Sequence, residues 1–310
     1  MTDPVAPDVD VFEDVDGKPF EAGPSPEWQT LPQTGLFDLA AADALGRREA
    51  TKIVAVIGER GGGKTTLVSA VYERLLGGRF AGHAFAGSRT LSGLEERSFL
   101  SRAASGRDEP TTPRTSGQEG LSFFHLALAP TERPTDRVSM LLSERAGEHY
   151  RNIRDRPAGI KELPELWRAD HLVFVIDGGR MAKSDLREEL QASVRQLVRI
   201  VRDAGLPQAP KVEVVATKMD LFPKSGAARR RLVDFQKRLT ELFSADFADF
   251  AHFAVTARDP KGKTEVADGV DALVRRWAAP HSNPTVQPSK VPELATPFDR
   301  FLDRWSTEVQ

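Results

Sequence analysis

The chain has 310 residues, of which 40% are hydrophobic and 28% are charged, and its formal net charge is −2. This composition is typical of a globular protein with a sizeable core, and so small a net charge disfavours a nucleic-acid binder. Cysteine is absent, which excludes disulfides, thiol catalysis and thiolate metal sites. No apolar run approaches the roughly 18–20 residues that span a bilayer, and the acidic start is unlike a signal peptide. We therefore expect a cytoplasmic protein without a membrane span or direct nucleic-acid contacts.

The two ends of the chain differ in composition from the region between them. Residues 1–35 hold eight acidic side chains, one lysine and several prolines, and so little apolar surface predicts a disordered acidic tail. Residues 281–310 start as a Pro-rich linker. They end in a pattern typical of a short amphipathic helix, with Phe298, Phe301, Leu302 and Trp305 on one face. That helix either packs on the same chain or binds a partner.

Between residues 36 and 280, apolar runs alternate with helical periods. A helical stretch at 36–48 precedes strands at 52–57, 121–129, 138–142, 171–176, 212–216 and 250–255, with a hairpin turn at 130–136. Helices follow most strands, and one of them opens on a predicted capping box, Asp185 with Glu188. The pattern predicts an α/β fold, a mostly parallel sheet with helices on both faces and one antiparallel edge strand. Residues 79–120 are expected to form a long, polar, functional connection.

One motif carries phosphate chemistry. Residues 58–65 read Gly-Glu-Arg-Gly-Gly-Gly-Lys-Thr. This is a complete G-x-x-x-x-G-K-T motif, the P-loop, between a predicted strand and a predicted helix. Glycines let backbone N–H groups converge on a phosphate at the helix N-terminus. Lys64 would bridge the β- and γ-phosphates, and the Thr65 hydroxyl would ligate Mg²⁺. The motif predicts a nucleoside triphosphate held by Gly58, Gly61, Gly62, Gly63, Lys64, Thr65 and Thr66.

A second motif, Thr217-Lys218-Met219-Asp220, directly follows the predicted strand at 212–216. In this order after the P-loop it resembles the Asn/Thr-Lys-x-Asp motif of Ras-like and translation-factor GTPases, and the resemblance covers roughly residues 51–280. It implies a GTP-binding G-domain in which Asp220 accepts hydrogen bonds from guanine, Lys218 packs on the base and Thr217 holds loops together. Within that class the chain looks most like bacterial GTPases of multi-component signalling or conflict systems.

The same resemblance places further residues around the nucleotide. The turn Val255-Thr256-Ala257-Arg258 stands where the family has a Ser-Ala-Lys-like turn, so Thr256 and Ala257 would complete the guanine site. The family's switch I threonine, a second Mg²⁺ contact, would fall within residues 79–120, where the candidates are Thr111, Thr112 and Thr115. Of these, Thr115 lies closest in sequence to the following strand.

The family's D-x-x-G motif would correspond to Glu144-Arg145-Ala146-Gly147. The resemblance implies that Glu144, in place of the usual Asp, holds a Mg²⁺-bound water and that the Gly147 N–H bonds the γ-phosphate. Glu148 stands where family enzymes place the residue that orients the attacking water. His149, one place further along, is the better chemical candidate, because a carboxylate near the γ-phosphate is unfavourable unless Mg²⁺ or an arginine offsets its charge. Arg60 is a departure within the P-loop, and its side chain would either crowd that water or supply charge in cis.

Together these motifs predict a GTP-binding switch that hydrolyses GTP to GDP slowly with Mg²⁺. GTP would order residues around 110–120 and 144–160 and expose a surface for an effector protein, and a separate activating protein would supply an arginine. A GTP-binding scaffold with negligible hydrolysis is the alternative, which Glu144 and Glu148 keep open. A P-loop ATPase or kinase is a third reading, disfavoured by the base-edge chemistry at Asp220.

Overall fold

The computed structural model describes residues 35–99, 120–207, 209–223, 226–247, 249–258 and 267–280. Within these ranges a single sheet is built from seven strands: β1 (Thr51–Ile57), β2 (His83–Gly87), β3 (Ser122–Pro130), β4 (Val138–Glu144), β5 (His171–Asp177), β6 (Lys211–Thr217) and β7 (Phe250–Ala254). Their order is β2-β3-β4-β1-β5-β6-β7. The strands from β4 to β7 pair in parallel, and β3 runs antiparallel to both β2 and β4. The predicted α/β class is confirmed, with antiparallel pairing confined to one edge.

Helices cover both faces of the sheet. They are α1 (Leu39–Gly46), α2 (Lys64–Leu76), α3 (Leu91–Phe99), α4 (Gly147–Asp155), α5 (Pro164–Trp167), α6 (Gly178–Ala182), α7 (Ser184–Asp203), α8 (Ala227–Phe243) and α9 (Val270–Ala278), with 3₁₀ helices at Pro157–Glu162 and Met219–Leu221. One core cluster packs α2, α3 and α9 on the sheet, and a second packs α4, α7 and α8. Among the residues described, no helix combines the length and apolar character needed to cross a membrane.

The central strand β1 shows how the sheet divides the core. Successive side chains of a strand point to opposite faces, so Val54 and Val56 join the cluster of α2 and α9. Ala55 and Ile57 join the cluster of α7 and α8. All four are at most 1% exposed. Because both faces are covered, the strand is a continuous apolar run, which is why the sequence predicts it.

Two sequence expectations are corrected by the structure. Residues 79–99 are not a plain polar connection, because they contain the edge strand β2 and the helix α3, whose Leu94 is buried in the core. The expected capping box at Asp185 is also wrong, since the N-cap of α7 is Lys183, two residues earlier, and no side chain caps the helix. The predicted acidic tail, the candidate threonines at 111–115 and the C-terminal helix lie outside the described residues.

His125 on β3 is buried in a hydrogen-bonded cluster next to α3. Its Nδ1 accepts a hydrogen bond of 2.9 Å from the Arg89 backbone N–H, and its Nε2 lies 3.0 Å from the Ser139 hydroxyl. Burial lowers the pKa of His125 to about 4, although the charge of Glu49 acts in the opposite direction. Because Nδ1 is an acceptor here, the ring is neutral and carries its proton on Nε2.

We expect the folded protein to lose stability as the pH falls below neutrality. The folded pKa of His125 lies below the ordinary value of 6.5, so the unfolded chain binds more protons between these two values. The free energy of unfolding should therefore fall by about 2 kcal/mol between about pH 7.5 and about pH 5. His125→Asn, which retains an acceptor for the Arg89 N–H, should remove this part of the pH dependence in urea unfolding. The edge-strand variant His83→Gln should keep it, and an unchanged pH dependence in His125→Asn would contradict the account.

Candidate nucleotide-binding site

The loop between β1 and α2 lies at the carboxyl ends of the parallel strands, where ligands of such sheets bind. Gly61 and Gly63 have positive φ angles of 75° and 92°, which side chains other than glycine rarely adopt. Helix α2 begins at Lys64 with Gly63 as N-cap, and no side chain caps its first turn. Its first backbone N–H groups are therefore available to an anion, as the P-loop motif predicts.

Lys64 lies at the centre of this loop. It is 8% exposed, and its ammonium donates to the carbonyls of Gly58 at 2.9 Å and Glu59 at 3.2 Å. Burial lowers the pKa of Lys64, while the charges of Glu144, Glu148 and Glu59 act in the opposite direction. The ammonium thus lies within electrostatic reach of carboxylates from the loop itself, from the end of β4 and from the first turn of α4.

Thr65 and Glu144 form the pair expected to hold Mg²⁺. The Thr65 hydroxyl donates to the Glu144 carboxylate at 2.8 Å, and Glu144 is 1% exposed at the end of β4. Hydroxyl and carboxylate oxygens suit Mg²⁺, which takes few protein ligands besides phosphate and water. Elsewhere in the described chain, no three His, Asp or Glu side chains group into a metal site. The pair therefore fits a cation that arrives with a triphosphate better than a dedicated metal centre.

The turn after β6 lies directly against the P-loop. The Thr217 hydroxyl donates to the Gly62 carbonyl at 2.7 Å. The Lys218 ammonium donates to the Gly61 carbonyl at 2.7 Å and to the Asp177 carboxylate at 2.8 Å. Lys218 has a φ of 54°, a left-handed conformation that costs a non-glycine residue on the order of 1 kcal/mol. The structure therefore brings the two predicted motifs into contact, and Lys218, in a strained conformation, makes one of the two side-chain bonds between them.

The loop after β7 completes this edge of the sheet. The Met219 N–H donates to the Val255 carbonyl at 3.3 Å, which places the third predicted turn beside the base motif. Thr256 and Ala257 are 2% and 8% exposed. Asp220 lies in the 3₁₀ helix Met219–Leu221 and is partly exposed. The residues predicted to read guanine thus come from two adjacent loops.

Gly147, the first residue of α4, approaches the P-loop backbone very closely. A Cβ atom added at this position would lie 2.2 Å from the Arg60 nitrogen and 2.5 Å from the Glu59 carbonyl carbon. Real Cβ atoms do not come so near to backbone atoms, so only glycine fits here. The predicted D-x-x-G segment is therefore packed on the phosphate loop through its glycine.

Buried contacts anchor the segment around Gly147. Arg145 donates to both carboxylate oxygens of Glu165 at 2.5 and 3.0 Å, and these residues are 6% and 0% exposed. The Tyr150 hydroxyl donates to the same carboxylate at 3.3 Å. The protein itself therefore supplies contacts that anchor the start of α4.

The two candidate water-orienting residues differ in their surroundings. The Glu148 carboxylate lies 3.5 Å from the Arg60 guanidinium of the P-loop, and the two side chains are 42% and 62% exposed. The Nε2 of His149 is buried and makes no hydrogen bond to any residue the structure describes. The structure thus pairs Glu148, rather than His149, with the P-loop.

Two acidic residues of this site were missed by sequence reasoning. Asp177 ends β5, accepts the Lys218 hydrogen bond and caps α6 through the Arg180 N–H at 3.1 Å. Its position directly after a buried strand could have revealed it. Glu59 occupies a variable position of the P-loop motif, and its side chain accepts from three helices. No sequence signal marks that role.

The family model Double-GTPase 2 matches residues 52–278. The chain belongs to this family of P-loop GTPases. A search of curated proteins finds no match. One similar solved structure is the Roco2 RocCORdC protein of Methanosarcina barkeri bound to GDP, with 13% identity and a TM-score of 0.34. The match covers 74% of this chain and 48% of that one, so this chain spans about half its length, and so distant a likeness supports no detail of the site.

We expect Gly147→Ala to destabilise this family member, because the added methyl group would overlap the P-loop backbone. The free energy of unfolding should fall by about 1–3 kcal/mol, the usual cost of overpacking. Denaturant unfolding measures it. The matched control is Gly159→Ala, whose Cβ would meet only a Ile153 methyl at 3.5 Å. Equal stabilities of the two variants would contradict the close approach.

Proposed function

We propose that this protein binds GTP and GDP with Mg²⁺ and hydrolyses GTP slowly, so that its nucleotide state changes its contact with an effector protein. The contact between the base motif and the P-loop carries the proposal. Thr217 and Lys218 hold the carbonyls of Gly62 and Gly61 at 2.7 Å. A phosphate loop braced by a base-reading turn suits one ligand that has phosphates at one end and a base at the other.

Each end of the nucleotide has its own proposed contacts. Lys64, Thr66 and the first N–H groups of α2 would hold the phosphates, and the Gly147 N–H would meet the γ-phosphate. Thr65 and Glu144 would hold Mg²⁺, which supplies charge neutralisation to the phosphates when bound. One of Thr111, Thr112 and Thr115, with Thr115 preferred, would add a further ligand.

Guanine selectivity would come from the loops after β6 and β7. The Asp220 carboxylate would accept from guanine N1 and its exocyclic amine, a pair of donors that adenine lacks. A buried acceptor left without partners is costly, so adenine would be rejected. Thr256 and Ala257 would complete the pocket, with the Ala257 N–H donating to the guanine oxygen.

For hydrolysis, we propose that Glu148 orients the attacking water and that Arg60 offsets its charge. A lone carboxylate beside a γ-phosphate would repel it. In the structure the positive charge of Arg60 lies beside Glu148 and would offset this repulsion. His149, which the sequence favours, becomes the second candidate. Slow turnover is expected because no neutral side chain at position 148 is available to orient water, and an activating protein would raise the rate.

The scaffold alternative has one observation in its favour. The buried Arg145–Glu165 pair fixes the segment after β4, and a fixed segment would respond little to loss of the γ-phosphate. A scaffold would bind GTP tightly without turnover, whereas the proposed switch turns over.

Asp220→Asn should abolish the preference for guanine, because the amide presents an N–H where guanine also offers donors. We expect guanine nucleotide affinity to fall by about 10-fold or more, the loss typical of unpaired buried polar groups. Binding of fluorescent GDP in competition with ADP measures it. Asp234→Asn, on an exposed position of α8, is the control. A variant that keeps full guanine preference would disprove the base-site assignment, and native preference for ATP would favour an ATPase or kinase.

Arg60→Ala should lower GTP affinity relative to GDP, because Glu148 would then face the γ-phosphate uncompensated. The pair is exposed, so the expected change is modest, about threefold to fivefold. The double variant Arg60→Ala/Glu148→Gln should restore the affinity ratio. Single-turnover hydrolysis, measured alongside, should fall in Glu148→Ala, which has no polar group to orient water. Unchanged ratios in all variants would contradict the proposed role of the pair, and an absence of turnover in the native protein would favour the scaffold.

A further inference from the structure

The Glu59 side chain joins the P-loop to three helices. Its Oε1 accepts from Arg154 of α4 at 3.0 Å and from Ser193 of α7 at 2.6 Å. Its Oε2 accepts from Arg180 of α6 at 2.6 Å. The three charged side chains are only 15–24% exposed. Both oxygens are therefore engaged, and the carboxylate is held from three directions.

Glu59 is ionised in this arrangement. Burial raises the pKa of Glu59, but the hydrogen bonds from Ser193 and Arg180 and the charges of Arg180 and Arg154 outweigh it, so the pKa lies below its ordinary value. Hydrogen bonds between charged partners are about twice as strong as neutral ones. The carboxylate is therefore a firm attachment point, unlike the exposed Arg60–Glu148 pair next to it.

One partner of Glu59, Arg154, links it to the side of the site where a γ-phosphate would bind. Arg154 lies on α4, the same helix that opens with Gly147. The Gly147 backbone in turn abuts the peptide between Glu59 and Arg60. The Glu59–Arg154 bond thus links the C-terminal end of α4 to Glu59, whose backbone is in contact with Gly147 at the N-terminal end of the same helix.

A second partner, Arg180, links Glu59 to the side of the site where the base would bind. The Arg180 backbone N–H donates to Asp177, whose second oxygen accepts from Lys218. Lys218 returns to the P-loop at the Gly61 carbonyl. A continuous series of polar contacts therefore runs from α4 through Glu59 to the base motif and back to the P-loop.

We propose that Glu59 is a positioning residue that sets α4 against the P-loop, so that the Gly147 N–H is presented where a γ-phosphate binds. The inference rests on the proposed function and deepens it. Glu59 itself would not contact the nucleotide and would act through the position of α4. GDP has no γ-phosphate and does not need Gly147, so loss of the carboxylate should weaken GTP binding more than GDP binding.

The test compares the affinities of a non-hydrolysable GTP analogue and of GDP for the full chain and for Glu59→Gln. The GTP-to-GDP affinity ratio should fall by about fivefold or more, the lower end of usual couplings between sites. Glu188→Gln removes a carboxylate from an exposed position of α7 and should leave the ratio unchanged. Single-turnover hydrolysis should fall with the ratio.

A second variant keeps the test decisive if Glu59→Gln does not fold. Arg154→Met removes only the bond between Glu59 and α4, and it leaves Arg180 and Ser193 bonded to the carboxylate. It should lower the ratio in the same way, and the double variant Glu59→Gln/Arg154→Met should lower it no further than the stronger single variant.

The results separate this inference from the proposed function. Variants that bind GDP normally and keep the native affinity ratio, even with a lowered Tm, would overturn the positioning role and leave a structural ion cluster. A native protein that fails to bind guanine nucleotides at all would instead contradict the proposed function.

Discussion

Two hydrogen bonds, from Thr217 to the Gly62 carbonyl and from Lys218 to the Gly61 carbonyl, fix the geometry on which the site depends. In a trans peptide the N–H points away from the C=O. Because Thr217 holds the Gly62 carbonyl from the base side, the Gly63 N–H of the same peptide points to the opposite side. The base motif thus orients the phosphate loop as well as contributing to its own pocket.

Close backbone packing gives this arrangement its rigidity. Gly147 at the start of α4 and Gly178 at the start of α6 each leave no room for a side chain. A Cβ at Gly178 would lie 2.3 Å from the Thr217 carbonyl oxygen. The loops after β4 and β5 are therefore pressed against the P-loop and the base turn. Shifts of one loop must be accommodated by its neighbours, because packed interiors are not continuously deformable.

The sequence predicts the parts of the fold that local patterns encode. β1, β5 and β6 are buried on both faces and appear as apolar runs, and the P-loop is a contiguous motif. β2 is short, half buried along its whole length and set within the polar stretch at 79–120. It therefore carries no clear apolar pattern, and both it and α3 were missed.

The residues of the candidate site were likewise predictable only where a short motif encodes them. The positions of Lys64, Thr65 and the turn at 217–220 follow from short motifs at strand ends. The partners of Glu59 lie 95 to 134 residues away in sequence on three helices. Such pairs depend on how helices pack, which local periodicity does not encode. The Arg60–Glu148 pair was likewise not foreseen as a contact, although both residues had been singled out.

A cavity of about 660 Å³ offers a competing place for a ligand. It lies between α7 and the 3₁₀ helix Pro157–Glu162 and is lined in part by Arg195 and Arg199, whose guanidinium groups would also suit phosphate. This cavity contains neither the P-loop nor the base motif.

A crystal structure of the protein with GDP and Mg²⁺ would show whether the P-loop and the base motif bind the two ends of one nucleotide. We expect the β-phosphate at the Lys64 ammonium and the first turn of α2, with the guanine edge on Asp220. A nucleotide found in the cavity beside α7, or one whose base points away from the turn at 217–220, would disprove this arrangement.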